Sequence, residues 1–304
     1  MILILEQLLN GLQYGVMLFL LAAGLTLIFG IMGVINLAHG SLYMVGAYAG
    51  TWVAAETGSF WLGLPAALGA AALTGFAVEA LVVRRLYARD HLDQVLATFA
   101  LILTFNQVIV LLFGRQPVFT QMPAAFSGSV QLLPGLYYPT YRLLIILVGL
   151  LVAVGLWALI NRTRVGMLVR AGATNRDMVR ALGVDIRLLY TIVFGLGALL
   201  AGLAGYMAGP ILAVQVGMGE QILLATFVVV VIGGVGSIKG AFVAGLALGV
   251  VDTMLRAFLP GLLRQVMPPS DADAVGIGVA SMGIYLVMAV VLLVRPRGLF
   301  AAGA

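Results

Sequence analysis

The sequence contains no cysteine, so disulfides give no indication of compartment. It also has very little charge: 9% of its 304 residues are charged, against 63% hydrophobic, and mean hydropathy is +1.16. Soluble domains carry about 25% charged residues, and a water-soluble fold of this composition would expose a large apolar surface. A soluble protein is therefore excluded in favour of a polytopic helical membrane protein. No lysine or arginine occurs in residues 1–83. The chain therefore lacks the basic n-region of a cleavable signal, and its first apolar run continues into a full span. The net charge of +5 raises the question of nucleic acid. The basic residues sit in short stretches between apolar runs, however, which is an orientation signal for a membrane protein and not a nucleic-acid surface.

Apolar segments long enough to cross about 30 Å of hydrocarbon are read at 8–29, 37–55, 62–83, 95–113, 143–160, 188–208, 222–235, 241–258 and 277–294. The expected fold is all-α, with about eight or nine transmembrane segments and glycine-broken helices, in a single transmembrane domain over 1–304. The 39 glycines fit this reading, because small residues let membrane helices approach closely. Arg84, Arg85 and Arg89 lie in one connection, six arginines from Arg162 to Arg187 in another, and Arg295 and Arg297 after the last span. All three should face the cytoplasm. Two spans separate the first from the second and four separate the second from the third, so the parity is consistent. Three spans before Arg84 place the N-terminus outside; if 31–55 dips in and out without crossing, it is inside. The outer stretch 114–142 holds Pro117, Pro123, Pro134 and Pro139 together with Phe119, Phe126, Tyr137, Tyr138 and Tyr141. A loop this long either binds something or sits at the interface. A second outer stretch, 260–274, contains Arg264, Asp271 and Asp273.

Three segments are out of character with a plain set of spans. In GIMGVINLAHGS, residues 30–41, Asn36 and His39 are polar groups flanked by Gly30, Gly33 and Gly40. Polar side chains at membrane depth face the bundle interior or water, and the glycines permit a helix break; an ordinary turn between spans is the alternative. A metal site at His39 is disfavoured, because the only other histidine is His91 and there is no cysteine. In IGGVGSIKGA, residues 232–241, Gly233, Gly234, Gly236, Ser237 and Gly240 surround Lys239. The phosphate-loop spacing G-x-x-x-x-G-K-[ST] is absent, since Gly240 follows the lysine, and no ATP site is recognisable. Two glycine-interrupted segments, one in each half, point to a central path in a transporter.

The third segment is the polar connector 163–185, TRVGMLVRAGATNRDMVRALGVD. Thr163 can cap a helix over 164–171 ending at Gly172, and Asn175 a second over 176–182 ending at Gly183. The second helix sets Met178, Val179, Ala181 and Leu182 against Arg176, Asp177 and Arg180. A loop needing only charge for orientation would not require such punctuation.

Together these residues resemble the integral membrane permeases of ATP-binding-cassette importers for branched-chain amino acids, in particular the H-type subunit of the leucine/isoleucine/valine system. The resemblance covers nearly the whole chain. It is carried by GLTLIFGIMGVINLAHGSLYMVGAY (24–48), VGMLVRAGATNRDMVRALGVD (165–185), GGVGSIKGA (233–241) and RPRGLF (295–300). It implies an importer of the bacterial inner membrane fed by a periplasmic amino-acid-binding protein. Two cytoplasmic ABC ATPase subunits would hold the ATP, a related M-type permease would complete the pair, and this chain would bind no cofactor or metal and catalyse no reaction. The connector would dock on the ATPase through Arg164, Gly166, Arg170, Ala171, Asn175, Met178, Ala181, Leu182 and Gly183. Asn36, His39, Gly40 and Ser41, with Gly233, Gly234, Gly236 and Ser237, would line or gate the path. The chain departs from the pattern at Lys239, where some members carry proline, and at Ser41, where others carry glutamate.

Three other functions compete with this one. A urea or short-amide importer of the same family shares the motifs. An ion-coupled secondary transporter usually needs ionisable groups inside the bilayer, and only Glu79 and Asp252 are read within the spans. An intramembrane enzyme using His39 as base lacks a visible acidic or nucleophilic partner.

Overall fold

The computed structural model describes residues 2–300, leaving the side chains of Arg176 and Asp177 outside that description. Nine long helices make the bundle: α1 (Ile2–Met32), α2 (His39–Thr57), α3 (Phe60–Leu81), α4 (His91–Phe113), α5 (Thr140–Arg162), α8 (Ile186–Ala208), α9 (Met218–Gly233), α10 (Ile238–Leu263) and α11 (Pro269–Val294). Two short helices, α6 (Arg164–Thr174) and α7 (Arg176–Ala181), form the polar connector. Seven of the nine are long and apolar enough to cross a membrane. The other two are α2, with 19 residues, and α9, with 16. The nine segments read from sequence each correspond to one helix. The only strands among the described residues are β1 (Ser129–Leu133) and β2 (Leu136–Pro139), an antiparallel hairpin inside the long outer connection. The all-α architecture is otherwise as expected.

The first helix is the axis of the fold. It is continuous for 31 residues, and almost every residue from Gly15 to Ile28 is buried. In lipid there is no hydrophobic drive to bury an apolar helix against other apolar helices, so close packing must supply the attraction. Glycine makes that packing possible. Gly11 and Gly15, one turn apart on α1, face Gly245 and Gly249 on α10. A Cβ at Gly15 would lie 2.6 Å from the carbonyl oxygen of Gly245, so no side chain fits there. By contrast α3, α4, α5 and α11 turn large apolar side chains outward, such as Leu73, Leu112, Leu151 and Val290. These suit contact with lipid chains.

The three arginine clusters lie at one end of the bundle. Arg84, after α3, hydrogen-bonds Thr191 near the start of α8 at 3.1 Å, which joins the first cluster to the second. After α11 the chain runs through Arg295 and Arg297 to the end of α9, where the Leu299 amide donates to the Ile232 carbonyl at 2.8 Å. The start of α1 is at the opposite end, where Ile2 touches Gly135 of the hairpin turn. Its last turn lies beside the connector. That arrangement agrees with the parity expected from a crossing α2.

The outer connection is anchored rather than free. Val118 and Val214 form a two-way backbone bridge, and Thr51 and Thr120 share a hydrogen bond of 2.6 Å. Tyr141 and Tyr206 each donate a buried hydrogen bond, to the carbonyls of Met207 at 2.9 Å and Phe60 at 2.7 Å. The aromatics of this end therefore serve packing as well as the interface. In the second outer stretch Arg264 pairs with Asp273 at 2.8 Å.

Candidate functional site

The connector folds as two capped helices, with one boundary moved. Thr163 accepts from the Gly166 amide at 3.1 Å, and Asn175 accepts from the Met178 amide at 2.9 Å. Each cap satisfies one of the amides that a helix start leaves without an intrahelical partner. Gly172, expected to end the first helix, does not. It is buried within α6, where a Cβ would touch Leu189 and Ile31, and the helix runs on to Thr174. Its small size serves packing there, and Asn175 ends one helix while capping the next. Gly183, at φ 81°, is a terminator of the expected kind. Asp185 then caps α8 through the amides of Arg187 and Leu188.

The connector residues separate by exposure. Gly166 is buried against the carbonyls of Leu159 and Ile160, and Ala171 is half-buried. Arg164, Arg170, Asn175, Met178, Ala181, Leu182 and Gly183 are exposed. Arg170 also donates back to the Ile160 carbonyl, which ties it to the end of α5. Met178 at 58% and Leu182 at 76% exposure are large apolar side chains on a polar segment beyond the membrane helices. Clustered exposed apolar groups rimmed by polar ones mark a protein interaction site. Arg176 and Asp177, read as the charged side of α7, lie outside the described side chains.

The connector meets the broken ends of the membrane helices. A cleft of about 350 Å³ is lined by Gly30, Ile31 and Gly33 on one side and by Gly172, Ala173, Thr174 and Asn175 on the other. Gly33 sits at φ 65°, where the chain leaves α1. Gly30 in turn abuts Gly236, and Phe300 donates to the Gly233 carbonyl at 3.1 Å. The α9–α10 turn is built on Gly234 (φ 97°) and Gly236 (φ 82°), with Ser237 capping α10 by accepting from the Gly240 amide at 3.0 Å. All four distinctive sequence segments thus converge at the arginine end.

The candidates for the path occupy two environments. Gly236 and Ser237 border a groove of about 880 Å³ between α1, α5, α6 and α10, with Trp157, Arg170, Lys239 and Phe242 among its walls. Asn36, His39, Gly40 and Ser41 are instead buried inside the bundle, with Asn36, His39 and Ser41 no more than 3% exposed. The Asn36 carbonyl oxygen accepts from the Ala38 amide at 3.1 Å and shapes the turn into α2. His39 lies beside Gly24 of α1 with the Leu21 carbonyl near the ring, and neither ring nitrogen completes a hydrogen bond of normal geometry. Gly40 packs directly on the backbone of Gly219. Gly24 is eight residues back from the end of α1. The stretch 33–38 therefore folds inward, and α2 starts about 12 Å above that end, at a rise of about 1.5 Å per residue.

Sequence reasoning read Glu79 near Arg84 without its other partners, and missed a second group altogether. Glu79 is buried at 0% exposure and receives Arg84 at 2.8 Å, the Tyr87 hydroxyl at 2.7 Å and the Thr191 hydroxyl at 2.8 Å. Burial and the adjacent Glu79 push the Tyr87 phenol well above its ordinary range, so it remains a donor. This cluster fastens the first arginine connection to α8. Its signal was the spacing of Glu79 from Arg84, but the Thr191 contact is not local. The second group is Asn106 on α4 with Glu220 on α9, which share a hydrogen bond. Glu220 falls two residues outside the span read at 222–235, which hid it.

Among the described residues no cluster of histidine, aspartate and glutamate fit to hold a metal occurs. A bundle of membrane-length helices, two of them broken at glycines, with a capped polar connector at one end, defines a multi-pass membrane transport subunit. A family model described as branched-chain amino acid transport system / permease component matches residues 7–294, and the chain belongs to that family. It is similar to the high-affinity branched-chain amino acid transport system permease protein BraD of Pseudomonas aeruginosa, with 29% identity covering 97% of this chain and 95% of the relative. LivH of Escherichia coli K12, with the same description, is 27% identical over 97% of this chain and 94% of its own length. The ribose import permease protein RbsC of Escherichia coli K12 is also 27% identical, over 83% of this chain and 78% of its own. No solved structure matches the chain.

Proposed function

We propose that this chain is the membrane-spanning subunit of an ATP-driven importer of branched-chain amino acids in a bacterial inner membrane. The observation that carries the proposal is the convergence at the arginine end. A capped, partly apolar connector lies directly against the end of α1, whose Gly30 in turn abuts Gly236 of the α9–α10 turn. By the positive-inside rule that end is cytoplasmic. Two ABC ATPase subunits, which bind the ATP, dock on the connector through Arg164, Arg170, Asn175, Met178, Ala181, Leu182 and Gly183. Gly166 and Ala171 give it its shape. A related M-type permease completes the transmembrane pair, and a periplasmic binding protein delivers the amino acid at the hairpin end.

The mechanism needs a conformational equilibrium that the ATPases bias by differential affinity. A displacement of α6 acts on Ile31 and Gly33 through the cleft, and on Gly236 through the Gly30 contact. Glycine-on-glycine crossings at Gly40–Gly219 and Gly233–Gly240 let α2, α9 and α10 slide with few side chains to repack. Gly234, Gly236 and Ser237 form the turn that would open or close the path. Selectivity rests on the binding protein, so no charged pair for a zwitterion is needed in the core around His39.

The test is reconstitution in proteoliposomes with both ATPases, the companion permease and the binding protein. Leucine uptake should require ATP, and Met178→Asp with Leu182→Asp should abolish it while the permease remains folded. Uptake by the isolated chain driven by an ion gradient would overturn the reading. Transport of urea, a short amide or ribose, but of no branched-chain amino acid, would move the chain to another cargo.

A further inference from the structure

We infer that the open face of α4 and α9 carrying Asn106, Gln107, Glu220 and Gln221 is a water-lined wall of the translocation path, and that Glu220 is the station the cargo's ammonium group passes. This rests on the transport reading above. The depth of the site follows from neighbouring contacts. At the outer end of α4, Phe113 packs on Tyr48 of α2 with ring centroids 5.1 Å apart. Seven residues back along each helix lie Asn106 and Ser41, about 10 Å deeper at a rise of about 1.5 Å per residue. Gly40, next to Ser41, packs on Gly219, which precedes Glu220. Glu220 therefore sits within the hydrocarbon layer, and Asn106 meets it there.

At that depth an exposed carboxylate cannot face lipid without a large cost. Ionisable side chains in membrane segments face the bundle interior or a water-filled cavity. Glu220 is exposed, and so are Gln107, Gln221 and, one turn before Gln107, Thr104, a polar strip set among the exposed apolar side chains of Leu103, Leu111 and Leu224. The other two carboxylates read within spans differ. Glu79 is fully buried with Arg84, and Asp252 is 5% exposed and paired with Arg256 at 2.8 Å. Glu220 has no cationic partner among the described residues, and the Asn106 carbonyl oxygen is buried with no donor to it. The site thus offers an exposed carboxylate held in place by the Asn106 amide. A carboxylate is an acceptor, and an ammonium group supplies three donors and the opposite charge. The buried stripe of α4 (Gln94, Thr98, Ile102 and Ile109) faces inward, which leaves Gln107 on the open side.

The absence of cysteine makes the test direct. Gln107→Cys and Gln221→Cys, with Leu151→Cys on the lipid-facing side of α5 as control, are introduced singly in the assembled transporter. They are exposed to a membrane-impermeant cationic methanethiosulfonate and to an anionic one. Thiol reaction needs the thiolate and hence water. Both glutamine positions should label while Leu151→Cys does not. At Gln221→Cys the cationic reagent should react faster than the anionic one, and adding Glu220→Gln should remove that preference. Thr104→Cys replaces either position if a cysteine there impairs insertion. Glu220→Gln, which keeps an acceptor but removes the charge, should also lower amino-acid uptake by about tenfold, the difference between a charge-assisted and a neutral acceptor, and Glu220→Asp should lower it less. Unlabelled cysteines at all three α4–α9 positions overturn the water-lined wall. Labelling with no charge preference, or uptake unchanged in Glu220→Gln, overturns the ammonium station. A wild-type complex that takes up no amino acid yet labels with the charge preference refutes the transport reading alone.

Discussion

The Glu79 cluster offers the sharpest test of what holds the arginine end together. The carboxylate has 0% side-chain exposure and accepts from Arg84 Nε at 3.2 Å and Nη2 at 2.8 Å, from Tyr87 and from Thr191. Replacing Arg84 by methionine removes the only cation and leaves a buried charge with two neutral donors. Breaking a buried pair in this way costs about 3–5 kcal/mol. Arg84 is itself 37% exposed, and solvent screens part of the attraction, so about 3 kcal/mol is the better expectation. For 304 residues the unfolding entropy scales to about 0.6 kcal/mol/K. Arg84→Met should therefore lower the thermal midpoint of the detergent-solubilised protein by about 5 °C. Converting Glu79 to glutamine as well removes the stranded charge while keeping a partner for Tyr87 and Thr191. The double variant should recover more than half of the loss, the signature of coupled sites. A midpoint for Arg84→Met within about 1 °C of wild type, or a double variant no better than the single, would refute the reasoning; one kcal/mol here corresponds to about 2 °C.

The remaining predictions concern packing and caps. Gly40→Leu or Gly219→Leu should prevent formation of a monodisperse permease, read by size-exclusion profile, because each glycine meets the other's backbone; Gly69→Ala, which faces open space, should be silent. Thr163→Ala and Asn175→Ala should each cost about 1 kcal/mol of connector helix stability, and the pair should reduce uptake more than it reduces the ATPases' own hydrolysis. Tyr206→Phe removes a buried hydrogen bond to Phe60 and should lower stability by about 1 kcal/mol, measured by the same thermal assay.

The number and order of the long helices were readable because a crossing helix needs about 20 apolar residues, a requirement set by the bilayer and not by neighbours, although only seven of the nine meet it in length and composition. Thr163, Asn175 and Gly183 were readable for a similar reason: caps act over three or four residues, and their geometry is local. Gly172 was misread because a glycine near a helix end can terminate it or make room for another chain. Only the positions of Ile31 and Leu189 decide which. The same limit applied to GIMGVINLAHGS. Its polar residues were correctly marked as unusual, but their burial against Gly24 and Gly219 depends on partners far along the chain. Glu220 was overlooked because a window drawn around apolar residues stops short of the charged residue that opens the helix.

The placement of His39 bears on how such a bundle can move. An imidazole that completes no hydrogen bond of normal geometry inside a tightly packed core is unusual, since a buried polar group left unpaired costs about 1–3 kcal/mol. On one side the ring meets the backbone of Gly24, which has no side chain to hold it in place. The Leu21 carbonyl, about one turn before Gly24, becomes a full acceptor if α1 shifts slightly relative to α2. The state seen here then carries a penalty that an alternative arrangement relieves, and the difference helps set the balance between two conformations. On this argument His39→Gln, which keeps polar groups at the site, should preserve uptake better than His39→Leu, although leucine removes the unpaired nitrogens and should be the more stable protein. Uptake by the two variants that rises and falls with their thermal midpoints would make His39 a packing residue alone.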